Sequence, residues 1–389
     1  MANRVSWSFS RRGFLKRTLG TAWAGAALME QASLRAAAAR AQAGAAGKTA
    51  LPRLFDIEQA APGAWLAKAR PAALINCNAA IFEQSGGLLV VDTHSKPSAA
   101  AALVRQLQAE VSKKPVRWVV NSHFHWDHTQ GTPVYKKLAS KPEVVASEAT
   151  RRLLSENGVA RLKASMETAA KSLDEYATKA GAAKTAEEKT YWQRMTAETK
   201  AYLAEMQDFQ FELPEVTLTH DLTLHDKSQE LHIAFRGRAH TAGDVVVYSP
   251  TRKVISTGDM IHGLGPFIAD GYPKEWPITM LSVAEFEFDK VLGGHGRIHE
   301  RSLVYQMRDY LEELWTTVER AQRRQQTVDD LVKEMTAEKF VSLTSGYGAA
   351  TVSVLREFAM SPPGISDAEL LGGMVKSNLK DVWTRLDQS

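Results

Sequence analysis

Asn121-Ser122-His123-Phe124-His125-Trp126-Asp127-His128 decides the reading of this chain. The run before it, Val116-Arg117-Trp118-Val119-Val120, is short and apolar, as a buried strand requires. The octet therefore begins where a strand ends. In extended backbone, residues two apart project to the same side, so His123 and His125 can converge on one point. Asp127 and His128 follow once the chain turns, and Thr129–Gly131 leads into a helix. Imidazole and carboxylate are the ligands of zinc- and iron-type ions. Such groups crowded together without a metal would leave buried polar atoms short of partners.

Outward from the octet, the upstream chain has β-like runs at 54–57, 64–66, 79–83 and 88–92, with Gly86-Gly87 as a hairpin turn. A helix is expected over about 97–111, with Leu103 and Leu107 on its apolar side. Downstream, a strand fits 143–146. Residues 148–208 are rich in Ala, Glu, Lys, Arg, Leu and Met and lack Pro, which predicts two or three helices broken at Gly158 and Gly181. The β pattern resumes at 216–218, 222–224, 231–236, 245–248 and 254–256, with a hairpin turn at Pro250-Thr251. From Arg301 onward the chain reads as mostly helical. Strand and helix alternating on this scale imply an α/β fold built in layers.

The chain has 389 residues, 44% hydrophobic and 24% charged, enough for two domains or one large one with a sizeable core. Cys77 is the single cysteine, so an intramolecular disulfide and a cysteine metal cluster are both excluded. Any metal must rest on His, Asp or Glu. The net charge is +4, but residues 1–43 carry seven basic residues against Glu30, a net +6 that leaves −2 for the rest. A nucleic-acid partner has no electrostatic support from such a body. The basic segment reads Ser10-Arg11-Arg12-Gly13-Phe14-Leu15-Lys16, followed by an Ala/Gly-rich apolar run and Ala41-Gln42-Ala43. That is the layout of an export signal, and it resembles a twin-arginine signal. The resemblance implies cleavage near Ala43, passage through the twin-arginine export machinery and a periplasmic location. The apolar run is shorter than the roughly 20 residues of a membrane span.

His-x-His-x-Asp-His after an apolar strand resembles the signature of the metallo-β-lactamase-fold hydrolases. Four other stretches resemble that family's motifs, in its order: Leu89-Val90-Val91-Asp92-Thr93, Arg238-Ala239-His240-Thr241-Ala242-Gly243, Ser256-Thr257-Gly258-Asp259 and Gly293-Gly294-His295-Gly296. The resemblance covers about residues 53–300. It implies an αββα sandwich, two mixed β-sheets flanked by helices. The catalytic domain would span 44–300, between the signal at 1–43 and a helical C-terminal extension at 301–389, with 148–208 as a helical insertion. It also implies a ligand set: His123, His125 and His240 for one metal, Asp127, His128 and His295 for the second, and Asp259 bridging both. Two zinc ions are expected, with iron or manganese as alternatives. A metal-bridging hydroxide would attack a carbonyl or phosphoryl centre, with Asp127 orienting it and carrying a proton. Arg238-Ala239 departs from the glycines many members carry, and the long insertion weakens any transfer of substrate from a relative.

Gly258-Asp259 resembles the glyoxalase II, lactonase and phosphodiesterase branches more than the β-lactamases with cysteine at that position. Glutathione thioesters are made in the cytoplasm and suit an exported enzyme poorly. Lactam, lactone, ester, thioester and phosphodiester bonds stay open for a small-molecule substrate. A di-iron oxidoreductase or dioxygenase of the same fold is the alternative, since imidazole and carboxylate do not select zinc over iron. An intact ligand set argues against a non-catalytic binding protein. Homo-oligomers are compatible with this reading. His94 is expected beside the site or on the surface rather than among the ligands. His299 is expected to be exposed, His220, His225 and His232 solvated, and Cys77 a small buried residue. Met260–Trp276 reads as a loop at the site's rim, with His262, Tyr272 and Lys274 as ordinary loop surface. The apolar face of the 148–208 helices either packs on its own domain or forms a lid or dimer surface beside the metal cleft.

Overall fold

The computed structural model describes residues 53–70, 77–357 and 363–386. The signal at 1–43 and its cleavage near Ala43 lie outside the described residues. The strands are β1 (Phe55–Ala61), β2 (Ala64–Ala69), β3 (Ala79–Gln84), β4 (Gly87–Val91), β5 (Val116–Val120), β6 (Glu143–Ser147), β7 (Val216–Leu218), β8 (Asp221–Leu224), β9 (Leu231–Phe235), β10 (Val245–Ser249), β11 (Val254–Gly258), β12 (Lys290–Gly293) and β13 (Ile298–Glu300). The helices are α1 (Pro97–Glu110), α2 (Trp126–Thr129), α3 (Thr132–Lys136), α4 (Glu148–Ala182), α5 (Ala186–Met206), α6 (Trp276–Val283), α7 (Ser302–Arg323), α8 (Val328–Glu334), α9 (Gly348–Glu357) and α10 (Asp367–Leu386).

Strands β1 to β7 lie in chain order in one sheet, and the second runs β13-β12-β11-β10-β9-β8. The first sheet is antiparallel up to β4 and parallel from β4 to β7. In the second, β11 and β12 are parallel and the other pairs antiparallel. Both sheets are mixed. Strands β4, β10 and β11 are buried along their whole length, because both faces of each sheet are covered. Between the sheets, Leu66, Phe82, Val91 and Val120 meet Ile233, Val247 and Leu292. On the outer face of the first sheet, Leu103 and Leu107 of α1 pack on Ile81, Val90 and Val119. On the outer face of the second, Met280, Leu311, Leu314 and Leu379 cover Val246, Ile255 and Val291. The result is the αββα sandwich. The C-terminal helices belong to the same compact unit, Arg53–Ser389. No helix among the described residues is long and apolar enough to cross a membrane.

The inserted segment forms two helices. The expected break at Gly158 does not occur, and α4 runs through it for 35 residues. Gly158 faces the ring of Phe211, which an added Cβ would meet at 3.4 Å, an ordinary contact. Ser147 starts α4 by accepting from Thr150 N at 3.0 Å, and Thr185 starts α5 by accepting from Glu188 N at 3.1 Å. The strand expected to reach Asp92 ends at Val91, since Asp92 turns out of the sheet with φ 70°. The octet is tied to both sheets: Asn121 N donates to Val145 O at 2.9 Å, and Val245 N donates to Ser122 O at 2.8 Å. The loops after β4, β5, β11 and β12 and the one before β10 therefore gather at one edge.

Gly131 shows how tightly that edge is built. A Cβ there would stand 1.7 Å from the Thr93 carbonyl oxygen and 2.7 Å from Ala100 Cβ. Gly131→Ala must displace the loop that carries Thr93. A loss of roughly 1–3 kcal/mol is expected from overpacking alone, read as a lower melting temperature. An unchanged melting temperature would contradict this packing.

Candidate metal centre

His123, His125, Asp127, His128, His240, Asp259 and His295 come from four separate stretches of chain, and all are buried. The ligand atoms of His123, His125 and His240 lie within 4.8 Å of one another, as do those of Asp127, His128 and His295, and those of His123, His128 and Asp259. The outer ring nitrogens explain the orientation. His240 Nδ1 donates to Phe267 O at 3.1 Å, His125 Nε2 to Asp270 Oδ2 at 2.9 Å, and His128 Nδ1 to Asp92 Oδ2 at 2.8 Å. The Ser122 hydroxyl donates to Asp92 Oδ2, so it accepts from His123 Nδ1 at 3.0 Å. An imidazole that donates from one nitrogen presents a lone pair at the other.

The inner nitrogens therefore face one another as acceptors. His240 Nε2 and His125 Nδ1 stand 2.9 Å apart. His123 Nε2, His128 Nε2 and Asp259 Oδ1 are buried without any hydrogen-bond partner. Lone pairs packed this way repel unless a cation lies among them, and unsatisfied buried polar atoms are costly. Five imidazoles and two carboxylates are the donor chemistry of a zinc- or iron-type ion, and their outer partners are those that orient metal ligands. The residues fit a metal.

Burial opposes charge on every group here. For His123 and His240 it prevails, with neighbouring imidazoles adding to it, and both titrate well below the ordinary range. Burial also disfavours charge on His128, but the carboxylates of Asp259, Asp127 and Asp92 outweigh it and raise the imidazole well above its usual value. His295 is likewise lifted against burial, to about 9, by Asp259 and Asp127. In return, the imidazoles hold Asp127 and Asp259 below the usual carboxylate range despite burial. The carboxylate half of the centre attracts positive charge, and metal uptake there displaces protons.

Asp92 sits at φ 70°, held by Ser122 N, Ser122 Oγ and His128 Nδ1, each at 2.8 Å. It orients two neighbours of the centre without facing it. His94 is not a surface residue: it is fully buried, its Nδ1 meets Cys77 O at 3.0 Å, and its ring lies 4.5 Å from Phe55. Cys77 is buried as expected, and burial pushes its thiol up to about 12, which leaves it unreactive. His262 departs from the expected loop surface. It is buried, accepts from Leu264 N at 3.0 Å and lies 5.8 Å from the His295 ring. His299 is half-buried rather than exposed, because the C-terminal helices cover that edge. His220 and His225 are exposed, while His232 is half-buried and pairs with Glu230 at 2.7 Å. Tyr272 is half-buried beneath the Arg238 guanidinium at 4.2 Å, and Lys274 is exposed. Arg238 pairs with Glu275 through its Nε at 2.9 Å.

Two residues escaped the sequence reading. Asp270 accepts from His125, and also from Arg161 of α4 through both Nη atoms, at 3.1 and 2.7 Å. Burial works against the Asp270 carboxylate, but these donors hold it far below the usual range. The Arg161 guanidinium also lies 4.8 Å over the Phe124 ring. Asp270 is 145 residues from His125 and 109 from Arg161, and no motif marks either position. His125, Asp127, Asp259, His295, Arg161 and Phe267 line a cleft of about 270 Å³ over the centre.

The family model of the metallo-beta-lactamase superfamily matches residues 73–303. Among solved structures, a metallo-beta-lactamase from Pontibacter korlensis is 19% identical, with 66% of this chain and 99% of that chain covered and a TM-score of 0.49. The metallo-beta-lactamase FIM-1 from Pseudomonas aeruginosa in its mono-zinc form is 19% identical, with 67% and 97% covered and a TM-score of 0.47. A metallo-beta-lactamase from Hirschia baltica is 17% identical, with 66% and 97% covered and a TM-score of 0.47. With more than half of its length matched by the family model, this chain belongs to the metallo-beta-lactamase superfamily.

Proposed function

We propose that this protein is an exported binuclear-zinc hydrolase that cleaves a small-molecule substrate at a carbonyl or phosphoryl centre. The observation that carries the reading is the buried cluster of inward-facing ligand atoms, among which His123 Nε2, His128 Nε2 and Asp259 Oδ1 have no hydrogen-bond partner. His123, His125 and His240 would hold one ion, and Asp127, His128 and His295 the other. Asp259 lies between these triads, with Oδ1 3.4 Å from His128 Nε2 and Oδ2 3.7 Å from His240 Nε2. A carboxylate there supports a glyoxalase II- or lactonase-like ligand set. When bound, two zinc ions supply an acidified water and a Lewis acid for the substrate oxygen.

The chain's own residues do the rest. Asp92 and Asp270 fix the tautomers of His128 and His125. Asp127 Oδ2, 3.3 Å from His295 Nε2, faces the cleft, where it orients the nucleophile and passes a proton to the leaving group. Phe267 and Leu264 form an apolar wall of the cleft that restricts water. Arg11-Arg12 and Ala41-Gln42-Ala43 support twin-arginine export, cleavage near Ala43 and a periplasmic location. Export of a folded protein suits a centre whose metals are loaded as it folds.

Elemental analysis of the purified protein should find two zinc ions per chain and no visible absorption. At least one class in a panel of lactam, lactone, ester, thioester and phosphodiester substrates should be hydrolysed, with activity lost to a chelator and restored by zinc. Iron with visible absorption, and no hydrolysis, would instead favour the di-iron oxidoreductase.

Asp127→Asn keeps the side chain's shape but removes its charge. The expected result is a native melting profile, metal content falling toward one ion, and turnover lower by at least about 10²-fold. Two full metals with near-native turnover would contradict the role assigned to Asp127.

Asp270→Ala frees the outer nitrogen of His125. Metal affinity or turnover should fall about 10- to 100-fold, as for other partners of metal-bound histidines, with Asp270→Asn intermediate. Unchanged metal affinity and turnover in both variants would show that Asp270 does not position His125.

A further inference from the structure

Beside the metal cleft lies a larger one, of about 520 Å³, between α4, α5 and the octet. That volume falls within the roughly 300–1,000 Å³ of small-molecule sites. Phe124, Leu154, Leu162, Met195, Tyr202 and Phe211 supply much of its wall. Helices α4 and α5 pair with each other, and Leu162, Tyr202 and Met206 form their own small core with Trp126. That core leaves the space next to it unfilled. The two clefts share two residues, Trp126 and Arg161, which line both. The larger cleft therefore adjoins the metal cleft, with Trp126 and Arg161 standing between the two. Phe267, on the metal cleft's wall, stays 49% exposed. Gln130 lines the larger cleft and accepts from the Tyr202 hydroxyl at 3.1 Å, while its buried Nε2 has no partner.

From these observations we infer that the α4–α5 cleft binds the apolar chain of the substrate, so that the enzyme acts on amphiphiles bearing an acyl or alkyl tail. This rests on the proposed hydrolase reading, because the metal centre is what makes an occupant of this cleft a substrate. The tail lies among the aromatic and aliphatic side chains, where burial removes apolar surface from water. An acceptor oxygen of the same molecule meets the Gln130 amide. The scissile group passes Trp126 and Arg161 to reach the cleft over His125 and Asp259. The inserted helices thus determine specificity, while the loop edge supplies the chemistry.

Binding is tested apart from turnover. Straight-chain carboxylates of six, eight, ten and twelve carbons are titrated calorimetrically into the full-length, metal-loaded protein. Affinity should rise by about fourfold per added methylene until the cleft is full. Ala169→Trp, which fills the cleft from α4, should lower dodecanoate affinity at least tenfold. If that variant does not fold, Ser172→Trp on the same wall replaces it. Affinity that is flat with chain length, or unchanged in the filled variant, would overturn the inference. So would a dimer broken by Ala169→Trp with flat carboxylate affinity, since the cleft would then take a second copy of the chain. Chain-length-dependent binding with no panel substrate hydrolysed would remove the proposed reaction and leave the cleft's occupant standing. Hydrolysis with flat affinity would remove this inference alone.

Discussion

Lone pairs turned toward one buried space are the constraint on which the rest of this structure depends. His125 and His240 point acceptor nitrogens at each other across 2.9 Å, and His123 Nε2, His128 Nε2 and Asp259 Oδ1 add further buried polar atoms with no hydrogen-bond partner. The outer nitrogens have committed their hydrogens to Asp92, Ser122, Phe267 and Asp270, so only added positive charge, a proton or a metal ion, relieves the inner side. A cation placed among them would resolve it, and the donor groups are grouped closely enough to hold one. The fold bears costs to keep the arrangement. Asp92 is held at φ 70°, a region that disfavours L-residues unless the surroundings over-determine it. Gly294 must lack a side chain, since a Cβ would stand 2.2 Å from Asp259 Oδ1.

The two halves of the centre differ electrostatically. In the three-imidazole half, burial pushes His123 and His240 toward the neutral form. The half containing Asp127 and Asp259 draws positive charge onto His128 and His295. Seven donors thus form one pocket of acceptors with a graded affinity for charge. Around it, the inserted helix α4 reaches the centre through Arg161 and Asp270, so an element outside the sandwich takes part in orienting a ligand.

Much of this was legible in the sequence. Apolar runs such as Val116–Val120 and Val245–Ser249 are strand-like at any reading, and the octet between strand and helix carries its chemistry in its spacing. The family resemblance brought in His240, Asp259 and His295, which no local pattern would have joined to the octet. What stayed hidden depends on distance and burial. Asp270 and Arg161 are ordinary loop and helix residues until the fold brings them to His125. His94 and His262 looked like rim residues, yet packing buries both. Gly158 has the sequence appearance of a helix break, yet the helix runs through it. The short strands β12 and β13 lack a run long enough to announce themselves.

The central claim is that the shell holds two ions, one in each triad. A crystal structure with anomalous difference maps collected on both sides of the zinc absorption edge tests it most directly. The account predicts two peaks that vanish below the edge, one among His123, His125 and His240 and the other among Asp127, His128 and His295, with Asp259 between them. A single peak, or none, in crystals grown with zinc and with all seven side chains in place would contradict it.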